Sequence, residues 1–448
     1  MRIKISTILF SLLIISFVAY SQTDSTITIS LSEAQDIALE SNVNVINAKL
    51  DVEISDKKVW ETTTIGLPQV SAEGSYNNNL SLATSLLPAV IFGGPEGEFM
   101  EVHFGTQHNF NGTATISQLI FSGSYIVGLQ AAKVYKSLSK NQLSKTKIDT
   151  KANVAMGYYS ILLAENNKDI LESNISTLKK TLKESEAMYK AGYMDETEVD
   201  KLKISLSNIE NNLNSVNRQI EYLYSLLNLQ LGIDNNIKIE LTNTLDEVLS
   251  TINYSSVIKN NLSVENNIDY KIVKTQVKLQ ELNLKKEKAE YLPTLSAFYN
   301  YSENAMRNEF NPFDGSEKWF QSSMLGFSLK VPIFSSGKRH SKVQQANLEL
   351  QKTQNSQKLL SESIDNSYLQ AKNNFITAND NMLNAKANVQ LAKKVLEKTT
   401  VKYKNGLSSS MELNQTNSDY LNTTSKYTQA IIDVLNAKIE LEKIINKI

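Results

Sequence analysis

The sequence of 448 residues contains no cysteine. That absence excludes disulfides, thiolate metal sites, a cysteine nucleophile and a lipid anchor on an N-terminal cysteine. Histidine is almost missing too. His103, His108 and His340 are the only three, and they are too scattered for a metal site or a catalytic triad. Even with Glu96, Glu98 and Glu101 beside the first two, solvent-facing loop carboxylates and histidines are far more often unliganded, so no metal, cofactor or enzymatic activity is expected. An excess of one charge is lacking as well. The 46 Lys and Arg nearly balance 47 Asp and Glu, for a net charge of -1, without the basic runs that nucleic-acid binding needs. Beyond the N-terminus there is no run of about 18 apolar residues. A chain of this kind crosses a membrane with strands or not at all.

What is present begins with a targeting signature. Arg2 and Lys4 precede a short apolar run over residues 8–19, and Ala19-Tyr20-Ser21 supplies the small residues of a cleavage site. Residues 1–21 are therefore predicted to be a signal peptide cleaved before Gln22.

The remainder is written twice. Leu67-Pro68-Gln69-Val70-Ser71-Ala72 returns as Leu292-Pro293-Thr294-Leu295-Ser296-Ala297, 225 positions later. Ile120-Phe121-Ser122-Gly123 resembles Ile333-Phe334-Ser335-Ser336-Gly337, with the phenylalanines 213 positions apart. Tyr189-Lys190-Ala191-Gly192 returns as Tyr403-Lys404-Asn405-Gly406 after 214. The order is kept and the spacing nearly so. The change in spacing gives the first copy about a dozen extra residues, assigned to the Gly- and Pro-rich stretch 86–107 and predicted to be a long loop. The chain is thus divided into a first repeat over 22–231, an intervening segment over 232–269 and a second repeat over 270–448.

Two periods alternate inside each copy. From Ile364, the residues Tyr368, Ala371, Phe375, Ala378, Met382, Ala385, Val389, Ala392, Leu396, Thr399 and Tyr403 follow at steps of four and three. Leu171, Ile175, Leu178, Leu182, Ser185 and Tyr189 hold the same frame, and Val199 to Leu227 resume it after a turn. A sustained period of 3.5 predicts coiled-coil helices with a left-handed supercoil. Residues 123–189 contain no proline, and as one helix they extend on the order of 100 Å at 1.5 Å per residue. Residues 337–403 match them in length.

The other period is two. Val70, Ala72, Gly74 and Tyr76 alternate with Ser71, Glu73, Ser75 and Asn77; Leu295, Ala297, Tyr299 and Tyr301 alternate with Ser296, Phe298, Asn300 and Ser302. A second strand in each copy, around Ala114 and Phe327, does likewise. One apolar and one polar face over roughly 9–11 residues suits a strand between lipid and a wet lumen. Phe298 is the exception on the polar side. Trp319, Phe320, Tyr299 and Tyr301 are candidates for an aromatic girdle. Four strands cannot close around a lumen, and an open sheet edge cannot face lipid. Three identical chains supply about twelve strands and twelve helical staves, a workable barrel size.

These residues resemble the TolC-type outer-membrane efflux proteins over essentially the whole mature sequence. The resemblance is carried by Leu31-Ser32-Glu33-Ala34-Gln35-Asp36-Ile37-Ala38-Leu39, by the Leu-Pro strand entries, by Gln118-Leu119-Ile120-Phe121 and Val331-Pro332-Ile333-Phe334, and by the Tyr-Lys-x-Gly turns. It implies a mainly helical fold with transmembrane strands: a homotrimer whose barrel sits in the outer membrane on a helical tunnel through the periplasm. Loops near residues 77–109 and 302–321 then lie outside the cell, and 232–269 joins both chain ends in an equatorial belt. The implied function is passive conduction of small molecules, handed over by an inner-membrane pump and a periplasmic adaptor. The implied docking sites are the two turns, with Tyr189, Lys190, Gly192, Tyr193 and Asp195 at one and Tyr403, Lys404, Gly406, Leu407 and Ser408 at the other. Gly192 and Gly406 suit helix C-caps, and Asp195 or Thr197 and the serines 408–410 suit N-caps of the next helices. The first turn departs from the family pattern, with Tyr193-Met194-Asp195 where the second has Leu407-Ser408-Ser409. The exit duct of a type I protein secretion system is the alternative within the same architecture. A secreted coiled-coil scaffold is the alternative outside it, and it leaves the period-two segments without a purpose.

Overall fold

The computed structural model describes residues 26–250, 252, 254 and 262–448. The expected signal peptide lies outside the described residues, as does part of the 232–269 segment. In chain order the elements are β1 (Thr26–Ile29), α1 (Leu31–Ser41), α2 (Val43–Thr64), β2 (Gln69–Asn78), β3 (Ala83–Pro88), β4 (Phe99–Phe104), β5 (His108–Ser122), α3 (Gly123–Lys190), α4 (Glu196–Leu231), β6 (Lys238–Leu241), α5 (Leu245–Ser250), α6 (Ile268–Ala289), β7 (Thr294–Arg307), β8 (Phe320–Lys330), α7 (Lys338–Lys404) and α8 (Ser410–Ile444). The helices α3 and α7 run 68 and 67 residues, within one residue of the expected ends.

The described residues pack into two compact units, one of residues 47–145 with 263–365 and one of those described among 26–46, 146–262 and 366–448. These units cut across the sequence repeat: each holds matching parts of both copies.

The first unit contains an antiparallel sheet in the order β2-β5-β7-β8, with β2 and β8 as its edges. β5 and β7 are longer than expected, at 15 and 14 residues. Residues 302–307, read above as loop, belong to β7. The long loop read over 86–107 is also corrected. It holds a hairpin of its own, β3 paired with β4 from Ala83↔Phe104 to Pro88↔Phe99, with one 3-10 turn at Ala89–Phe92. Gly93, Gly94, Pro95 and Gly97 mark only its tip, while Phe99-Met100-Glu101-Val102-His103-Phe104 is an ordinary β-rich run.

The second unit is built on the coiled-coil seams. Leu171, Ile175, Leu178, Leu202, Ile209, Val216, Tyr403 and Leu413 form one buried cluster, and Ala371, Phe375, Ala378, Val434 and Leu441 another. The 3.5-residue frame thus marks the buried stripe of each helix; Tyr189, at its end, is exposed. A third cluster gathers Ile29, Tyr158, Leu227, Leu231, Ile239 and Val248, with Ile448 packed against it. Here β1 pairs in parallel with β6, so the segment after Gly232 and both ends of the described chain share one core. The Tyr158 hydroxyl donates to Asn243 Oδ1 at 2.9 Å, with the Ile29 carbonyl as a second acceptor 3.2 Å away, which satisfies its polar end inside that core.

Candidate conduit surfaces and hairpin tips

Residues directly opposite one another in an antiparallel sheet share a face. The register pairs Val70 with Ile116, Ala72 with Ala114, Ile116 with Tyr299, Ala297 with Phe327 and Leu295 with Leu329. All lie on one face of the four strands, and most are exposed; Phe327 and Leu329 keep 69% and 63% of their surface. The opposite face pairs Ser71 with Thr115, Thr115 with Asn300, Ser296 with Ser328 and Ser302 with Ser322. On it Asn111 donates to Asn304 Oδ1 at 2.5 Å, and the Ser302 and Ser322 hydroxyls meet at 2.8 Å. Phe298 belongs to this polar face and is opposite Gly326, where an added Cβ would lie 2.5 Å from the phenylalanine ring. The aromatic side chain covers the bare glycine, which explains the one break in the alternation.

At the end of the sheet nearest the loops, Tyr76 stacks with His108 and Phe110, the Tyr76 and Phe110 centroids 4.8 Å apart, and Phe310 meets Tyr76 edge-on. Sequence reading placed a girdle on Trp319, Phe320, Tyr299 and Tyr301 and missed this cluster, because only the register brings its members together. His108 Nδ1 meets the Tyr76 hydroxyl at 2.8 Å, and His103 Nδ1 meets Thr84 at 3.0 Å. Among the described residues no group of three or more His, Asp or Glu is placed to hold a metal ion. Among them also, no helix is long and apolar enough to cross a membrane.

The two turns are nearly the same object. The N–H of Tyr193 bonds to the Met188 carbonyl and that of Gly192 to Tyr189; the N–H of Leu407 bonds to Lys402 and that of Gly406 to Tyr403. Each is a Schellman motif, and each needs a left-handed residue. Gly192 and Gly406 provide it, with φ of +80° and +71°. Asp195 then caps α4 by accepting from the Thr197 N–H at 2.9 Å, which holds its carboxyl below the usual range. Ser409 caps α8 by accepting from Glu412, and Ser408 donates to the Glu412 carboxylate at 2.6 Å.

The structure separates the ten tip residues into two sets. Tyr193 and Leu407 are outermost, 86% and 76% exposed, and Tyr189 and Lys190 are exposed as well. Tyr403 is buried instead. Its hydroxyl lies 3.1 Å from Ser185 Oγ and 3.5 Å from Met194 Sδ, and burial raises its pKa. Lys404 reaches Glu184 at 2.9 Å. These two residues fasten α7 to α3, Tyr403 from a buried position and Lys404 from a part-exposed one.

A third fastening was not visible in the sequence. The Glu198 carboxylate, in the first turn of α4, accepts the Ser410 N–H at the start of α8, at 2.7 Å. Ser410 is the main reason that its pKa falls to about 2, with Lys201, 2.9 Å away, as the next cause. A carboxylate at a helix N-terminus is favoured by the dipole and the free N–H groups. Deeper in the seam, Asn174 donates to Asn417 at 2.7 Å in a buried amide pair. No sequence spacing links residue 198 to 410 or 174 to 417, since these contacts join different hairpins.

Over residues 35–229 and 261–447 the chain matches the model of the outer membrane efflux protein family. The chain belongs to this family. As an outer membrane efflux protein it is placed in the outer membrane, with the fold of the TolC-type channels. Solved structures show that fold. CusC, in a study of folding and transmembrane channel formation, aligns with a TM-score of 0.72 and 15% identity, covering 93% of this chain and 92% of that one. VceC, an outer membrane protein of Vibrio cholerae, aligns at 0.70 with 13% identity, over 93% and 95% of the two chains. The MtrE outer membrane channel of Neisseria gonorrhoeae, in its open state, aligns at 0.67 with 17% identity, over 93% and 88%. No curated protein matches this efflux protein by sequence.

Proposed function

We propose that three copies of this chain close into one duct that passively carries small molecules from an inner-membrane pump and a periplasmic adaptor to the cell exterior. The observation that carries the reading is the register of the four-stranded sheet. It segregates apolar from polar side chains while leaving β2 and β8 unpaired as edges. Exposed strand edges are costly in lipid, and pairing β2 of one copy with β8 of the next removes them with no further element. The apolar face then meets lipid and the polar face lines the lumen. The two repeat copies act as two staves of the wall, and family matching in two segments supports that division. The exposed residues of the two turns, above all Tyr193 and Leu407, form the adaptor's docking surface.

The test is assembly and conduction together. Light scattering in detergent is expected to give a trimer, and planar bilayers containing it are expected to conduct. A monodisperse monomer, or a trimer without conductance, removes the duct reading.

A further inference from the structure

We infer that the groove where the sheet meets the helices is a binding station for amphipathic organic anions passing through the duct; the inference rests on the duct reading above and narrows its cargo. The groove has a volume of about 810 Å³ and lies between α2 and α6, with the start of α3 as its floor. The strand register says which side it opens on. Leu119 stands opposite Ser296 and Ser122 opposite Thr294, so both project from the polar face of the sheet. A β-bulge between Leu119 and Phe121 makes this possible, because the extra residue shifts the alternation and keeps Ser122 on the Leu119 side. Both residues line the groove. It therefore opens toward the lumen and not toward lipid.

Its chemistry is one-sided. Gly128, Ala131 and Ala132 of α3 keep the floor low, and Ile54 and Leu279 give apolar walls. Lys58 and Lys286 reach in from opposite helices, and no carboxylate lines the space. Lys58 also meets Glu61 at 2.9 Å, but that carboxylate sits outside the groove. An apolar body with a single negative group matches this lining at both ends. A cation of the same size meets two like charges, and a small hydrophilic anion gains nothing from the walls. A cleft lined by one sign of charge concentrates the opposite sign.

The chain's lack of cysteine makes a clean test. Asn283 lines the groove, so Asn283→Cys in the trimer, held in lipid nanodiscs, reports from inside it. Two thiol reagents of similar size are compared, sulfonatoethyl and trimethylammonioethyl methanethiosulfonate. The sulfonate is expected to be favoured over the ammonium by about 10-fold or more relative to free cysteine, and taurocholate is expected to protect the thiol. Lys58→Gln with Lys286→Gln should bring the ratio back to that of free cysteine. Gly128→Leu should weaken taurocholate protection while keeping the charge preference, since a side chain there meets nothing within 4 Å. A ratio unmoved by the double lysine variant, or no protection by taurocholate, overturns the inference. Conductance of the same trimers is recorded in parallel. Its absence overturns the duct reading, whereas conduction without charge preference at position 283 overturns only the binding station.

Discussion

The helices α3 and α7 are two copies of one long helix, yet their surroundings differ sharply. Over residues 150–163, α3 buries Ala152, Val154, Ala155, Tyr158, Ile161, Leu162 and Leu163. The matching stretch of α7, 214 positions on, buries Ile364, Ala371 and Phe375 and leaves Leu369 exposed. Toward the tips the contrast continues. Leu383, Leu391 and Val395 of α7 stand exposed where α3 has Asp169, Thr177 and Thr181. Asp169 and Thr177 line the groove that α3 shares with α7 and α8 in its own chain. Exposed leucines on a periplasmic helix are a different matter, since a contiguous apolar surface marks an interaction site. The comparison teaches that α3 is covered by its own chain along these stretches, whereas α7 leaves apolar side chains open; on the trimeric duct proposed above, that surface of α7 is completed by the next copy.

The largest expected effect comes from rewriting the second copy as the first. Leu383→Asp with Leu391→Thr removes two leucines whose burial in an interface contributes roughly 1.5–3 kcal/mol each, repeated at every contact of the ring. Trimer yield on a heat-challenged gel should collapse. A normal yield would break the comparison and return those leucines to plain solvent exposure.

Next comes the sheet, where the two faces make the contrast. Leu329→Arg on the apolar face is expected to cost about 2–4 kcal/mol at mid-membrane, and Ser328→Arg on the polar face far less. Barrel assembly in lipid vesicles checks the pair. Equal losses would mean that the faces are interchanged or that neither meets lipid.

The two turns supply a smaller effect on stability and a larger one on function. Gly406→Val forces a Cβ into a left-handed residue at a cost on the order of 1 kcal/mol, which an assembled trimer absorbs. Trimer yield should stay near normal while adaptor crosslinking and transport are lost. Gly192→Val, at the turn that departs from the family pattern, is expected to be milder. Full transport by Gly406→Val trimers would reduce that glycine to a hairpin reverser.

The smallest effect concerns the Glu198 contact. Its carboxyl is depressed from 4.5 to about 2 in the fold, so the stabilisation is complete above the unfolded value and is lost as pH falls through the folded one. Exchange protection of the Ser410 amide should therefore decline between pH 4.5 and about 2 relative to Glu198→Gln measured at the same pH. Parallel behaviour of the two proteins would remove Glu198 as a fastening of α4 to α8.

Legibility in the sequence followed the range of the interaction. The seam from Ile364 to Tyr403 and the strand faces were readable because both follow a fixed local period. The ends of α3 and α7 were readable because Gly192 and Gly406 sit where a C-cap requires glycine. The hairpin of β3 and β4 was misread, since three glycines and a proline at one tip coloured the whole stretch. Phe298 stayed unexplained until the register put Gly326 opposite it. Tyr403 was read as a docking contact because it adjoins the turn, but the 3.5-residue frame already placed it on the buried stripe. The groove at Lys58 and Lys286 had no signature at all, because its walls come from helices more than 200 residues apart in the chain.

The Schellman turns have a consequence for how such a tip changes over time. Main-chain bonds and one glycine settle the shape of each turn, and the side chains at 193 and 407 take no part in it. Substitutions at those two positions leave folding almost untouched while altering what a partner meets. On the docking role proposed above for these tips, recognition is uncoupled from stability, and a lineage can exchange one adaptor for another without passing through misfolded intermediates.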